Sequence, residues 1–222
     1  QKRQFSVVGT VGPEMPAVTP IMDADFGPSG TTWIVVARST SEQRDRTDLP
    51  DAGSGTVEFV DYPTGERMSD PAMLAFEPRS LAVNPDGTKV AVYGSQGNLV
   101  EIDVKTCAVR SLQSGTAMRS DHSNAFCRYS ADGRMLLAWG MELPAIAWDT
   151  ITSQRIPTPQ WETAKLMDMD FHGNEVASAS IDSRLDFLSL PGCETAAEPI
   201  QETNWLFLCP VSPEGDLVLT GG

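Results

Sequence analysis

A unit of three short strands that returns at a nearly fixed interval is what most constrains this chain. Its clearest copy runs from Pro78 to Val104. Leu81 to Val83 and Val90 to Tyr93 are apolar runs joined by Asn84-Pro85-Asp86-Gly87, and Leu99 to Val104 alternates apolar with polar after Gln96-Gly97-Asn98. Asp-Gly and Gly-Asn supply the positive backbone angles of tight hairpin turns, so the unit reads as three antiparallel strands. The turn glycine recurs at Gly30, Gly87, Gly133, Gly173 and Gly215, at intervals of 57, 46, 40 and 42 residues. The long first interval holds an insertion between Arg38 and Gly53. Asp103 and Asp149 stand 16 residues after Gly87 and Gly133 and close third strands, where Val60-Asp61 and Leu188-Ser189 hold the same place.

A period near 40 to 45 residues with several strands in each period predicts an all-β fold built of propeller blades. Four stretches carry a more specific resemblance: Phe26-Gly27-Pro28-Ser29-Gly30, Val83-Asn84-Pro85-Asp86-Gly87, Tyr129-Ser130-Ala131-Asp132-Gly133 and Val211-Ser212-Pro213-Glu214-Gly215. Each looks like the turn between the first two strands of WD-repeat β-propellers, and Trp148-Asp149 is similar to that family's name-giving dipeptide. The resemblance covers nearly the whole chain with degenerate repeats. The family's Gly-His before each blade is missing, and only His122 lies near that region. Its aspartate between second and third strands survives at Asp182, with Ser54, Gln96 and Glu142 elsewhere. The buried hydrogen-bond network of the family is thus expected to be incomplete in every blade.

The expected organisation is a single partial propeller over residues 1–222, with four recognisable blades and part of a fifth. The units run over about 21–68, 79–112, 125–156, 165–200 and 205–222. The last unit reaches only its second strand, which leaves an open edge, and open edges invite pairing. The propeller is therefore expected to be incomplete at the C-terminus, completed by further chain or by a partner. Phe5 to Val8 reads as a lone strand, which the resemblance assigns to closing a last blade. Residues 38–55 are polar, mixed in charge and almost free of apolar side chains, so they read as a disordered insertion between second and third strands. Ser39, Thr40, Ser41 and Thr47 offer hydroxyls there for modification. No segment has the length and period of a substantial helix.

Sixteen basic against 30 acidic residues give a net charge of −14. That sign argues against a nucleic-acid backbone or an anionic membrane surface as the main ligand. No apolar run reaches the length of a membrane span, and the stretch after Gln1-Lys2-Arg3-Gln4 is too short for a signal sequence. Cys107, Cys127, Cys193 and Cys209 fall in four different units without a Cys-x-x-Cys pair. The residues favour free thiols in a reduced intracellular protein, cytoplasmic or nuclear, over disulfides or a metal site.

Neither His122 nor His172 has a second histidine at metal spacing, and Gly53-Ser54-Gly55 lacks the lysine and helix of a phosphate loop. Asp168 and Asp170 share one strand face, which suits solvent or a neighbouring blade better than a calcium ion needing more oxygens. No catalytic residue, cofactor or metal is expected. The better candidates precede each first strand. Counting back 10 to 12 residues from the turn glycines gives Phe76, His122, Trp161 and Trp205, and counting back eight gives Arg79, Lys165 and Phe207. Repetition gathers these side chains toward one rim, either as a protein-binding surface or as aromatic wedges between blades. The resemblance implies a non-catalytic scaffold, a subunit of a larger intracellular assembly that binds other proteins. The alternatives are a lactonase-like propeller hydrolase, which the residues Pro78 to Val90 also resemble, and a reader of short modified peptides.

Overall fold

The computed structural model describes residues 20–40, 54–115, 125–141, 143–158, 161 and 165–221. The strand expected at Phe5 to Val8, His122 and residues 41–53 of the expected insertion lie outside them.

Among the described residues the fold is all-β, with four antiparallel sheets, each laid down as a meander. The first contains β1 (Ile21–Phe26), β2 (Trp33–Ser39), β3 (Gly55–Asp61), β4 (Glu66–Arg67) and β5 (Ala72–Leu74). The second contains β6 (Pro78–Val83), β7 (Lys89–Gly94), β8 (Leu99–Asp103) and β9 (Val109–Gln113). The third contains β10 (Ala125–Tyr129), β11 (Met135–Gly140), β12 (Leu143–Asp149) and β13 (Gln154–Ile156). The fourth contains β14 (Leu166–His172), β15 (Glu175–Ser180), β16 (Arg184–Ser189) and β17 (Glu194–Gln201). A fifth hairpin follows, held by bridges between Leu208 and Gly221 and between Val211 and Val218. In the first sheet the outer strand is broken. β4 pairs with one end of β3 and β5 with the other, so that sheet extends to Leu74 and not only to Met68.

Consecutive sheets share apolar layers, and the two-residue period of the strands explains how. Val35, Val57 and Phe59 face Leu81, Val90 and Ile102 across the first and second sheets. The alternate face of the second sheet, with Ala91, Tyr93 and Leu99, meets Cys127, Leu136 and Ile146 of the third. The third turns Leu137 and Trp139 to Met169, Val176 and Leu188 of the fourth. The fourth turns Ala177, Ala179 and Leu185 to Leu206 and Cys209 of the fifth hairpin. A second strand buried on both faces needs apolar side chains at successive positions. Met135 to Gly140 obeys this along its whole length.

Carboxylates reinforce two of these junctions. On β1, Asp23 Oδ2 accepts from the Leu81 amide at 2.8 Å and Asp25 Oδ2 from the Val83 amide at 3.2 Å. On β14, Asp168 Oδ2 and Asp170 Oδ2 accept from the Cys209 and Val211 amides, both at 2.9 Å. Of the settings expected for Asp168 and Asp170, solvent or a neighbouring unit, the structure places them against the fifth hairpin. Between them, Ser80 Oγ accepts from the Cys127 amide at 3.3 Å, and Arg128 pairs with Asp170. First strands of successive units are therefore joined laterally, by side chain to backbone at three junctions and by the Arg128–Asp170 ion pair between the third and fourth sheets.

The opposite ends of the sheets repeat a different device. Asp61, Asp103 and Asp149 each cap the turn to the outer strand, accepting from Thr64, Thr106 and Thr152 respectively. The next residue takes positive φ: Gly65 at 73°, Cys107 at 56° and Ser153 at 57°. Ser189 holds the aspartate's place in the fourth sheet, with Cys193 at φ 54°.

Candidate protein-binding rim

Three first strands carry an irregularity at one place. Pairing slips between Ile21 and Asp23 on β1, between Pro78 and Ser80 on β6, and between Leu166 and Asp168 on β14. An extra residue in one strand bends it and re-aims a side chain, a device common at rims and binding sites. The residues at the slips are Met22, Arg79 and Met167, each partly buried. Each lies five residues before the one that closes the first hairpin: Gly27, Asn84 and His172. The same count back from Ser212 reaches Phe207. The topology thus sets Met22, Arg79, Met167 and Phe207 at one end of the first strands of their units.

This register moves one expected position. Lys165 was expected to correspond with Arg79 and Phe207 by its distance from Gly173. The β14–β15 connection is only Gly173-Asn174, because His172 pairs directly with Glu175. In the second and third sheets the closing pairs are Asn84 with Lys89 and Ser130 with Met135, which leaves longer turns. Met167 therefore takes the equivalent place, while Lys165 lies just before the strand and accepts the Ile181 amide on its carbonyl at 3.1 Å.

The other expected residues divide. Phe76 is 7% exposed and belongs to the layer between the first and second sheets. A Cβ at Gly94 would collide with its ring, so that glycine is required by close approach. Trp161 is 2% exposed and belongs to the layer between the third and fourth sheets. Both are wedges between sheets and offer no surface to a partner. At the next junction Leu206 fills that role, being 3% exposed within the apolar layer. Trp205 and Phe207 on either side of it are left outward, 58% and 47% exposed, with ring centroids 6.3 Å apart in an edge-to-face contact. Arg79 is half-buried and paired with Glu77 at 3.0 Å.

Sequence reasoning missed Met22 and Met167, although a signal existed. Met22-Asp23-Ala24-Asp25-Phe26 returns as Met167-Asp168-Met169-Asp170-Phe171, a closer internal match than the glycine spacing that hid it.

The electrostatics are uneven. Arg38, Arg67, Arg79, Lys89, Arg110, Arg128 and Arg184 are all engaged by carboxylates. Glu101 is buried and takes two of these cations, Lys89 and Arg110, while Tyr129 donates its hydroxyl to it at 3.2 Å. Burial, and then this carboxylate, push the Tyr129 hydroxyl pKa up. From Leu185 to Gly222, by contrast, the chain carries Asp186, Glu194, Glu198, Glu202, Glu214 and Asp216 and no lysine or arginine. Among the described residues no group of three or more His, Cys, Asp or Glu side chains is placed to hold a metal. No helix of the described residues is long and apolar enough to cross a membrane.

The sequence matches no protein-family model and no curated protein.

Proposed function

We propose that this chain is a non-catalytic scaffold, a WD-repeat-like β-propeller that binds other proteins of an intracellular assembly through the rim bearing Met22, Arg79, Met167 and Phe207. The observation that carries this reading is the bulge repeated at one place in β1, β6 and β14. Regular pairing would stabilise each strand more fully, yet the irregularity recurs at the same place in the first strands of three sheets. Methionine and aromatic side chains suit such a surface, since flexible thioethers adapt to a partner and large rings supply contact area. Sheets joined by shared cores and by Asp23, Asp25, Asp168 and Asp170 form a stiff support for it.

The test is the native mass of the protein in its own cells, compared with that of a Met167→Ser, Phe207→Ala double variant. The wild type is expected in a heavy complex, and the variant, folded by circular dichroism, in a lighter fraction. A monomeric wild type, or a complex untouched by the double variant, would overturn the proposal.

A further inference from the structure

We infer that Trp205 and Phe207 dock a cationic segment of a partner protein, with an arginine or lysine head group lying on the exposed indole. The inference rests on the scaffold reading and names the chemistry that its rim takes. Aromatic side chains of this size are ordinarily drawn into a core, and here the core position between them is already filled by Leu206. Two outward rings in edge-to-face contact present a preformed apolar surface with a negative π face.

Charge decides what that surface takes. Glu202 lies three residues before Trp205, and its amide donates to the Ser183 carbonyl at 2.8 Å. Gln201 Nε2 donates to the carbonyls of Asp182 and Ser183 at 2.9 and 3.1 Å. These bonds pin the β15–β16 turn, with Asp182, to the strand end that carries Glu202. Glu198, four residues before Glu202, lies on β17, whose residues are exposed throughout. Asp182, Glu198 and Glu202 are in no ion pair among the described residues. The cations of this region are Lys165, just before β14, Arg128, paired with Asp170, and Arg184, whose guanidinium is held on Asp186 at 2.8 and 2.9 Å. An indole face three residues from Glu202, in a stretch from Leu185 to Gly222 that carries no lysine or arginine, favours a cation twice over: through its ring quadrupole and through the surrounding field. An anionic partner would meet repulsion at the same place.

The probe is a short labelled peptide of alternating arginine and leucine, set against its glutamate and leucine counterpart, on the whole chain. The arginine peptide is expected to bind and the glutamate peptide not. Trp205→Ala should weaken binding roughly tenfold, the scale of a partly desolvated cation–π contact, and Trp205→Phe should restore part of it. Ile151→Ala, at another exposed apolar residue, should leave it unchanged. Equal binding of both peptides, which would mean that charge does not select the ligand, or an affinity indifferent to Trp205→Ala, which bulk charge alone would explain, would overturn the inference. If the native complex depends on Phe207 while the arginine peptide neither binds nor competes, the scaffold reading stands and this inference falls. If the peptide binds through Trp205 but the protein travels alone, the converse holds.

Discussion

Asp168 shows how much one side chain contributes to joining two sheets. Its Oδ2 satisfies the Cys209 amide, and an amide left without a partner at such a junction costs about 1–3 kcal/mol. Asp168→Ala should lower stability by that order in denaturant unfolding, and Asp168→Asn, which keeps an acceptor oxygen, by clearly less. Equal losses would show that the negative charge, not the hydrogen bond, matters there. The thiols make a second residue-scale case. Cys127 is buried, with its pKa pushed up to about 12 by that burial, and its Sγ faces the Ala91 carbonyl. Cys209 sits in the equivalent place against the Ala177 carbonyl, and burial raises its pKa as well. Both should resist a thiol reagent at pH 8 in the native protein and react only on unfolding, whereas the half-buried Cys107 and Cys193 react first. Rapid native labelling of Cys127 or Cys209 would contradict their placement.

At the scale of the element, the capped turns to the outer strands carry two expectations of known sign. Gly65 has φ of 73° and open space around a would-be Cβ, so Gly65→Ala should cost about 1 kcal/mol from backbone strain alone. Ser153 holds the same left-handed place at 57°, so Ser153→Gly should stabilise by a few tenths to about 1 kcal/mol. Opposite shifts in melting temperature are the check. Acid acts on the same turns. The hydroxyls of Thr64 and Thr106 hold Asp61 and Asp103 below the usual 3.8, and the Thr152 amide does so for Asp149. A carboxylate depressed on folding contributes stability above its unfolded pKa and loses it as pH falls through the folded value. Stability should therefore fall with pH below about 4, and less steeply in Thr64→Val and Thr106→Val, as read by urea midpoints across pH 2–5. The Asp-x-x-Thr spacing that builds these turns stands openly in the sequence at 61–64, 103–106 and 149–152. Hairpins were legible for the same reason, since turn chemistry is local. The left-handed place of Cys193 was not, because Ser189 stands where the other turns have their aspartate, whereas Cys107 follows the same spacing as Gly65.

Over the whole molecule, the all-β class and the meander order followed from periodic apolar runs, while the arrangement of the rim did not. Counting from Gly173 placed Lys165 on the rim because a turn shorter by two residues keeps its glycine while shifting every residue before it. Aromatic identity alone could not separate Phe76 and Trp161, buried between sheets, from Trp205 and Phe207, left outside by Leu206. That distinction depends on which neighbour reaches the junction first, a matter of packing between elements distant in sequence. These successive sheets form one coupled body through the lateral bonds of their first strands. Native-state hydrogen exchange at the Leu81, Val83, Cys209 and Val211 amides tests it most directly, because each donates to a carboxylate of the preceding sheet. Their protection should match that of the ladder amides within the sheets and be lost together with it in a single transition. Fast exchange at these four amides while the ladders stay protected would contradict it, and would mean that the sheets move independently.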